Sequence, residues 1–238
     1  MADTNATRMM HYDFKQKLNK LDSQQHRNLK VPEIDWKLNE ALYVFVKMIA
    51  QPRTSEIMGF EKNTRTINDI RTLVIPNKDI NVSAFKTNVV KAALPEDYLF
   101  HIRSYSSCEK STCKVNITNY IQKHGFDFEN DDFSKSSFEW REVNALFVGN
   151  DLHLHHDGTF TITKLLMDYI KKPVYFHTAV DSAGGTYNLP DGTELTGFVN
   201  CELPRAIHSE IVDLAVLITM GDLISDYQAK YSKIQITN

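Results

Sequence analysis

Apolar residues recur at Ile34, Leu38, Leu42, Phe45 and Ile49, at spacings of four, four, three and four. That period marks one face of an α-helix. Pro32 suits the first helical position, where a missing N–H costs nothing. Glu33 and Asp35 place negative charge in the first turn, against the positive end of the helix dipole. Trp36, Tyr43 and Met48 fall off the stripe. They widen the core face or form a second surface that meets another subunit.

Gln51-Pro52 interrupts this pattern. Residues from Thr54 to Arg71 read as helical or irregular, and Leu73 to Pro76 opens a strand-rich middle. The predicted strands are Asn88 to Leu94, Tyr98 to Tyr105, Cys113 to Ile121, Asn144 to Val148, Asp151 to His155, Thr159 to Asp168 and Val174 to His177. Gly149-Asn150-Asp151, His156-Asp157-Gly158 and Leu189-Pro190-Asp191-Gly192 are turn signals, so the middle reads as antiparallel and hairpin-built. A second helix starts at Pro204, buries Ile207, Ile211, Leu214, Ala215 and Ile218, and runs to about Tyr231, with Gly221 as a candidate kink. The expected fold class is α+β, with N- and C-terminal helices packed as a helical platform and an antiparallel β-rich insertion. The predicted divisions are a basic arm over 1–30 and one α+β domain over 31–238. Within that domain, helices are placed at about 32–71 and 204–231 and the β-rich middle at about 72–200.

Charge sharpens the reading of the arm. Residues 1–30 hold six bases (Arg8, Lys15, Lys17, Lys20, Arg27, Lys30) against three acids (Asp3, Asp13, Asp22), which is +3. The whole chain is −3, so the other 208 residues carry −6. The arm reads as too polar to bury a core, mobile in an isolated subunit, and suited to docking on an acidic neighbour. Residues 125–142 hold six acids against two bases, interleaved with Phe126, Phe128, Phe133, Phe138 and Trp140. Such a loop tucks its rings under itself or presents them to a neighbour. The chain has no run of about 18 apolar residues and no apolar leader, so neither a membrane span nor a secretory signal is expected. Three cysteines, an odd number, point to a reducing compartment.

Candidate chemistry is sparse. His153, His155, His156 and Asp157 lie in the run HLHHDG, the best case for a zinc or hydrolase site. Only His153 and His155 share a strand face, no second ligand cluster accompanies them, and the Asp is followed by Gly. A solvated hairpin face is the expected role. Cys108 and Cys113 lack a second pair, and Cys201 is remote. The acidic run from Asp127 to Asp132 lacks the central glycine and terminal glutamate of a calcium loop. Gly184-Gly185-Thr186 is too short to cradle a phosphate. No catalytic, cofactor-binding or metal-binding residue is expected, and no cofactor.

Three longer motifs carry a family resemblance: KLNKLDSQ with EIDWKLNEA over 17–41, ALPEDYLF from Ala93 to Phe100, and MDYIKKPVYF from Met167 to Phe176. The last is followed by ELPRAIHSEIVDLAVLITM over 202–220. In this order the set resembles head-to-tail connector or tail-ring proteins of short-tailed bacteriophages, and is most similar to those of crAss-like phages. The resemblance implies a non-catalytic virion protein that assembles in the host cytoplasm into a ring, typically of twelve copies. Its implied partners are itself, a portal protein and other tail-ring proteins, with phage DNA present only in transit and no membrane. An acidic balance suits such a conduit wall, which repels phosphate. A closed ring also requires two different interfaces on each subunit. The alternatives are a non-viral module binding a small ligand or peptide, and a metal-dependent hydrolase using His153, His155 and Asp157.

Overall fold

A computed structural model describes residues 6–21, 29–50, 68–121 and 135–223. The fold is mixed α and β. The chain divides into two compact units, Met1–Leu73 with Pro173–Asn238, and Val74–Lys172. The region expected as one domain over 31–238 spans both units, with the barrel described below inserted in sequence between two halves of a helical unit.

The helical unit contains α1 (Ala6–Leu21), α2 (Val31–Ala50) and α3 (His208–Leu223). The expectation of an arm without a core is overturned by α1. Its Met10, Phe14 and Leu18 are buried, and so are Thr7 and His11 on the same face. The stripe was obscured because two of its five members are polar. Thr7 Oγ1 donates to the Val199 carbonyl (3.4 Å) and lies 3.2 Å from Asn200 Oδ1, and His11 Nε2 lies 2.6 Å from Asp35 Oδ1. A polar side chain can occupy a core face when it is hydrogen-bonded.

In α2, Ile34, Leu38 and Leu42 are buried as the spacing predicts, together with Ala41 and Val46. Glu33 accepts from the Lys30 backbone N–H (2.7 Å), closing the helix start. Asp35 does not serve the dipole from the surface; it is fully buried. α3 packs against both α1 and α2. It follows a 3-10 turn, Arg205–Ile207, capped by Pro204, and the described helix ends at Leu223. Ile211 and Ala215 are fully buried, and Val212, Val216 and Thr219 are buried too. The helix thus has two buried faces instead of one stripe, because it has two helical neighbours. The last predicted stretch, 224–231, lies outside the described residues, as does most of the segment from Thr54 to Arg71.

The predicted strand from Val174 to His177 does not form a named strand, and Phe176 is paired by a side chain. Asn39 Oδ1 accepts from the Phe176 N–H (3.1 Å), and Asn39 Nδ2 donates to the Phe176 carbonyl (2.7 Å). One amide thus supplies both ladder bonds of a strand neighbour. The only bridge here joins His177 to Val199. The predicted turn at Leu189–Gly192 joins a small hairpin, β8 (Thr186–Asn188) to β9 (Glu194–Thr196).

The barrel unit holds β1 (Val74–Lys86), β2 (Val89–Ala93), β3 (Tyr98–Lys110), β4 (Cys113–Ile121), β5 (Val143–Val148), β6 (Asp151–His155) and β7 (Thr161–Lys171). They close in the order β1-β2-β6-β5-β4-β3-β7, with β7 pairing back to β1. Closure removes the unpaired sheet edges. Two expectations need correction. β4 and β5 pair in parallel, so the middle is not wholly antiparallel. The His156-Asp157-Gly158 turn does not close a hairpin, because β6 pairs with β2 and β5 while β7 pairs with β1 and β3. The Gly149-Asn150 hairpin is as predicted, with Gly149 at φ 61°.

Leu152, Leu154, Leu165, Met167 and Tyr169 fill the barrel with Ile117, Ala145 and Cys108. One interior stripe is polar. Ser106 Oγ donates to Asn119 Oδ1 (2.6 Å), Asn119 Nδ2 donates to Ser104 Oγ (3.1 Å), and His101 Nε2 lies 3.1 Å from the same hydroxyl. These satisfied bonds tie β3 to β4 in one register. At the base of β7, Asp168 accepts from Arg103 Nε (2.5 Å) and from the Asn77 N–H (2.6 Å) at a bulge in β1. Burial alone would raise the Asp168 pKa, but the Asn77 and Arg103 bonds outweigh it and the pKa is lowered.

Three stability measurements follow from this packing. Phe14→Ala, in the segment expected to be a dispensable arm, should cost about 3–5 kcal/mol in a urea melt, and Ile211→Ala about 2–5 kcal/mol. Asp213→Ala should stay within about 0.5 kcal/mol, since its carboxylate is 64% exposed in its pairing with Lys17. Equal midpoints for the three would mean that the helix packing is misassigned. For Asp168, a lowered native pKa contributes stability that is full above the unfolded value of about 3.9 and lost as pH falls through the native value. Asp168→Asn should therefore melt below the wild type at pH 7, and the gap should close on acidification below about pH 4.

Candidate functional site

The sequence candidates do not converge on a reactive centre. His153 and His155 alternate along β6 with the buried Leu152 and Leu154, so they face outward from the barrel. His156 sits past the strand end; its Nδ1 accepts from the Gly158 N–H (3.1 Å), and its ring meets Phe160 edge-on. Asp157 is used by its own turn. Its Oδ1 accepts from the Thr159 N–H (2.8 Å) and from the Thr159 hydroxyl (2.7 Å). Among the described residues no group of three or more His, Cys, Asp or Glu is placed to hold a metal ion.

Cys108 and Cys201 are buried, Cys113 is exposed, and none is in a disulfide. Burial pushes the Cys108 thiol up to about 12 and Cys201 to about 11, so neither is an activated thiolate. Of the aromatic acidic loop, residues 122–134 lie outside the described residues. Phe138 packs against the barrel core and stacks near Phe160 (5.8 Å), while Trp140 is 81% exposed. Within three residues, one ring of the described part of the loop is packed on the barrel and another is exposed.

Two surfaces stand out instead. The first belongs to the helical unit. Trp36 is 49% exposed and Tyr43, seven residues on, 37%; one helical face carries both. Beside Trp36 lies a groove of about 430 Å³, lined also by Pro32, Tyr175, Tyr187, Leu189 and Pro190. Tyr187 donates its hydroxyl to Asp35 (2.8 Å), which fixes the ring in the groove wall. Burial, then the Asp35 carboxylate, raises the Tyr187 pKa. The Tyr175 hydroxyl is buried with no hydrogen-bond partner among the described residues, and burial pushes its pKa up to about 12.

The second surface lies on the outside of the barrel and includes a sequence candidate. The register of β1 against β2 slips between Ala84 and Lys86, leaving Phe85 as an extra residue at a bulge. A bulge re-aims the side chain it carries. The Phe85 ring is 45% exposed and its centroid lies 4.7 Å from that of His153. Lys86 Nζ stands 5.3 Å and Lys91 Nζ 5.7 Å from the same ring. Lys91 also pairs with Asp151 at 3.5 Å. The His153 pKa is lowered, first by burial and then by the two ammonium groups, against the opposing Asp151. Residue-by-residue reading found His153 and missed Phe85, Lys86 and Lys91. Only the pairing of three strands brings them together.

The motifs that carry the resemblance have folding roles. Tyr169 donates its hydroxyl to Asp97 (2.9 Å), and the Lys172 N–H donates to the Asp97 carbonyl (2.7 Å). The Pro95–Tyr98 turn and the end of β7 are thereby tied within the barrel unit. No protein-family model matches the chain, and no curated protein matches it. No described helix is long and apolar enough to cross a membrane.

The outward placement of the imidazoles fixes an expectation for their loss. Changing His153, His155 and His156 together to Gln should leave the melting midpoint within about 1 kcal/mol of the parent, as for half-exposed surface positions. Metal analysis should find no stoichiometric zinc in either protein. A one-to-one metal content abolished by the triple change would restore the hydrolase alternative.

Proposed function

We propose that this protein is a structural assembly subunit, a ring-forming component of the head-to-tail connector or tail of a short-tailed bacteriophage, without catalytic activity. The observation that carries the reading is the aromatic face of α2. Trp36 and Tyr43 stay exposed on a helix whose opposite side is fully buried in the unit's core. Exposed large aromatics on a rigid helix are what subunit contacts use, since they bury much area at little entropic cost. The motif resemblance supplies the class of assembly.

In this reading the helical unit is the platform of the ring and the barrel is an inserted module. Twelve copies meet head to tail, so each subunit offers two different surfaces. One is the α2 face with its groove; Trp140 and the exposed Tyr120 and Ile121 of β4 are candidates for another. The partners are further copies, a portal protein and other tail-ring proteins, with phage DNA passing through the conduit. Localisation is the virion, with assembly in the host cytoplasm.

Native mass measurement and negative-stain microscopy of the purified chain test this directly. A closed ring is expected, together with its conversion to monomer by Trp36→Ala with Tyr43→Ala at an unchanged melting midpoint. A chain that stays monomeric at every concentration, or a ring indifferent to both changes, overturns the reading.

A further inference from the structure

The outer face of the barrel combines three features that an ordinary solvated sheet lacks together. Phe85, at a bulge of β1 and on the same outward face as Asn81 and Ser83, presents a large aromatic ring that is 45% exposed. Two ammonium groups, Lys86 and Lys91, stand within 6 Å of that ring on adjacent strands. His153, opposite Lys91 in the β2–β6 register, backs the ring from a third strand. Asp151 is paired with Lys91, so Lys86 remains to give the patch a positive balance. Nearby on the same strands, Asn81 and Ser83, and Asn88 in the β1–β2 turn, are exposed.

We propose that the Phe85–Lys86–Lys91–His153 patch binds single-stranded nucleic acid, with an unpaired base stacked on Phe85 and its flanking phosphates held by Lys86 and Lys91. An exposed ring offers a flat face that any base can cover, and ammonium groups beside it match the charge of the connecting phosphates. A duplex turns base edges outward, not base faces, so the ring selects an unpaired strand. An acidic peptide would meet the lysines and could cover the ring with an apolar side chain, but it lacks the fixed alternation of flat face and charge that each nucleotide supplies. Sheet surfaces that bind single strands pair aromatic platforms with basic groups in this way. The inference stands on the barrel unit alone and does not depend on ring assembly.

The test uses the full chain and a fluorescein-labelled oligothymidine of about 12 nucleotides, inside the footprint range of one small barrel. Anisotropy is read at about 50 and 200 mM salt, where electrostatic binding differs strongly. The expected result is salt-sensitive binding that Phe85→Ala weakens by roughly 5- to 150-fold, the worth of one stacked base, and that Phe85→Trp retains. Lys86→Gln should flatten the plot of log affinity against log salt by roughly 0.7, for one phosphate of a single strand, and Lys91→Gln, whose ammonium is shared with Asp151, by less. An unlabelled duplex should compete poorly. Melting curves establish that every variant is folded before it is titrated. Absence of salt-sensitive binding by the parent protein, wild-type affinity in Phe85→Ala, or a duplex competing as well as the single strand would each overturn the proposal. None of these results bears on whether the chain forms rings, so the two readings fail separately.

Discussion

The buried carboxylate of Asp35 is the constraint on which the helical unit depends. Its Oδ1 lies 2.6 Å from His11 Nε2, and its Oδ2 accepts from the Thr178 N–H at 3.2 Å and from the Tyr187 hydroxyl at 2.8 Å. These donors come from α1, from Thr178 two residues after Phe176, and from the β8–β9 hairpin. Removing water from a carboxylate costs several kcal/mol unless donors replace it. The network is therefore all or none: each partner must arrive before the burial is tolerable. That couples the start of the chain to residues more than 140 positions later. Asn39, one turn along α2, adds the two bonds that hold Phe176. One face of α2 thus binds its neighbours through polar groups set among leucines and isoleucines, which gives a unique arrangement that apolar packing alone does not dictate.

The barrel solves its own version of the same problem. Closure pairs the strands around the ring, but a closed apolar tube would permit register slips of two residues without exposing a core face. The Ser104–Asn119–Ser106 chain inside, and Asp168 bonded to Arg103 and Asn77 at the wall, remove that freedom. Asn77 adopts φ 48° at the bulge that brings its N–H to Asp168. The strain of a left-handed asparagine is small, and the bond it permits is charge-assisted.

Both outward-facing features arise as by-products of these interior rules. Trp36 and Tyr43 are exposed because the opposite side of α2 is committed to Asp35, Asn39 and the core. Phe85 is exposed because the alternation of β1, with Ile80 and Val82 inward, places it outward in step with Asn81 and Ser83. The surfaces proposed for assembly and for strand binding rest on side chains that the fold turns away from itself.

Periodicity alone determined much of the local structure. The spacing from Ile34 to Leu42 placed α2, Ile207 and Ile211 placed the start of α3, and alternation with turn residues placed β2, β4, β5 and β6 within a residue or so. These are short-range consequences of which side chains must be buried. The sequence did not show α1, because Thr7 and His11 break its apolar stripe and are tolerated only by partners far along the chain. It did not show that β6 and β7 part company after Asp157, since Asp-Gly forms a good turn whatever strand follows. Nor did it show Phe85 beside His153 and Lys91, which are 68 and 6 positions away. Strand order, the parallel pairing of β4 with β5, and the burial of Asp35 are settled by long-range hydrogen bonds. Their donors and acceptors exist in the sequence, but their partners are chosen only when the chain has closed on itself.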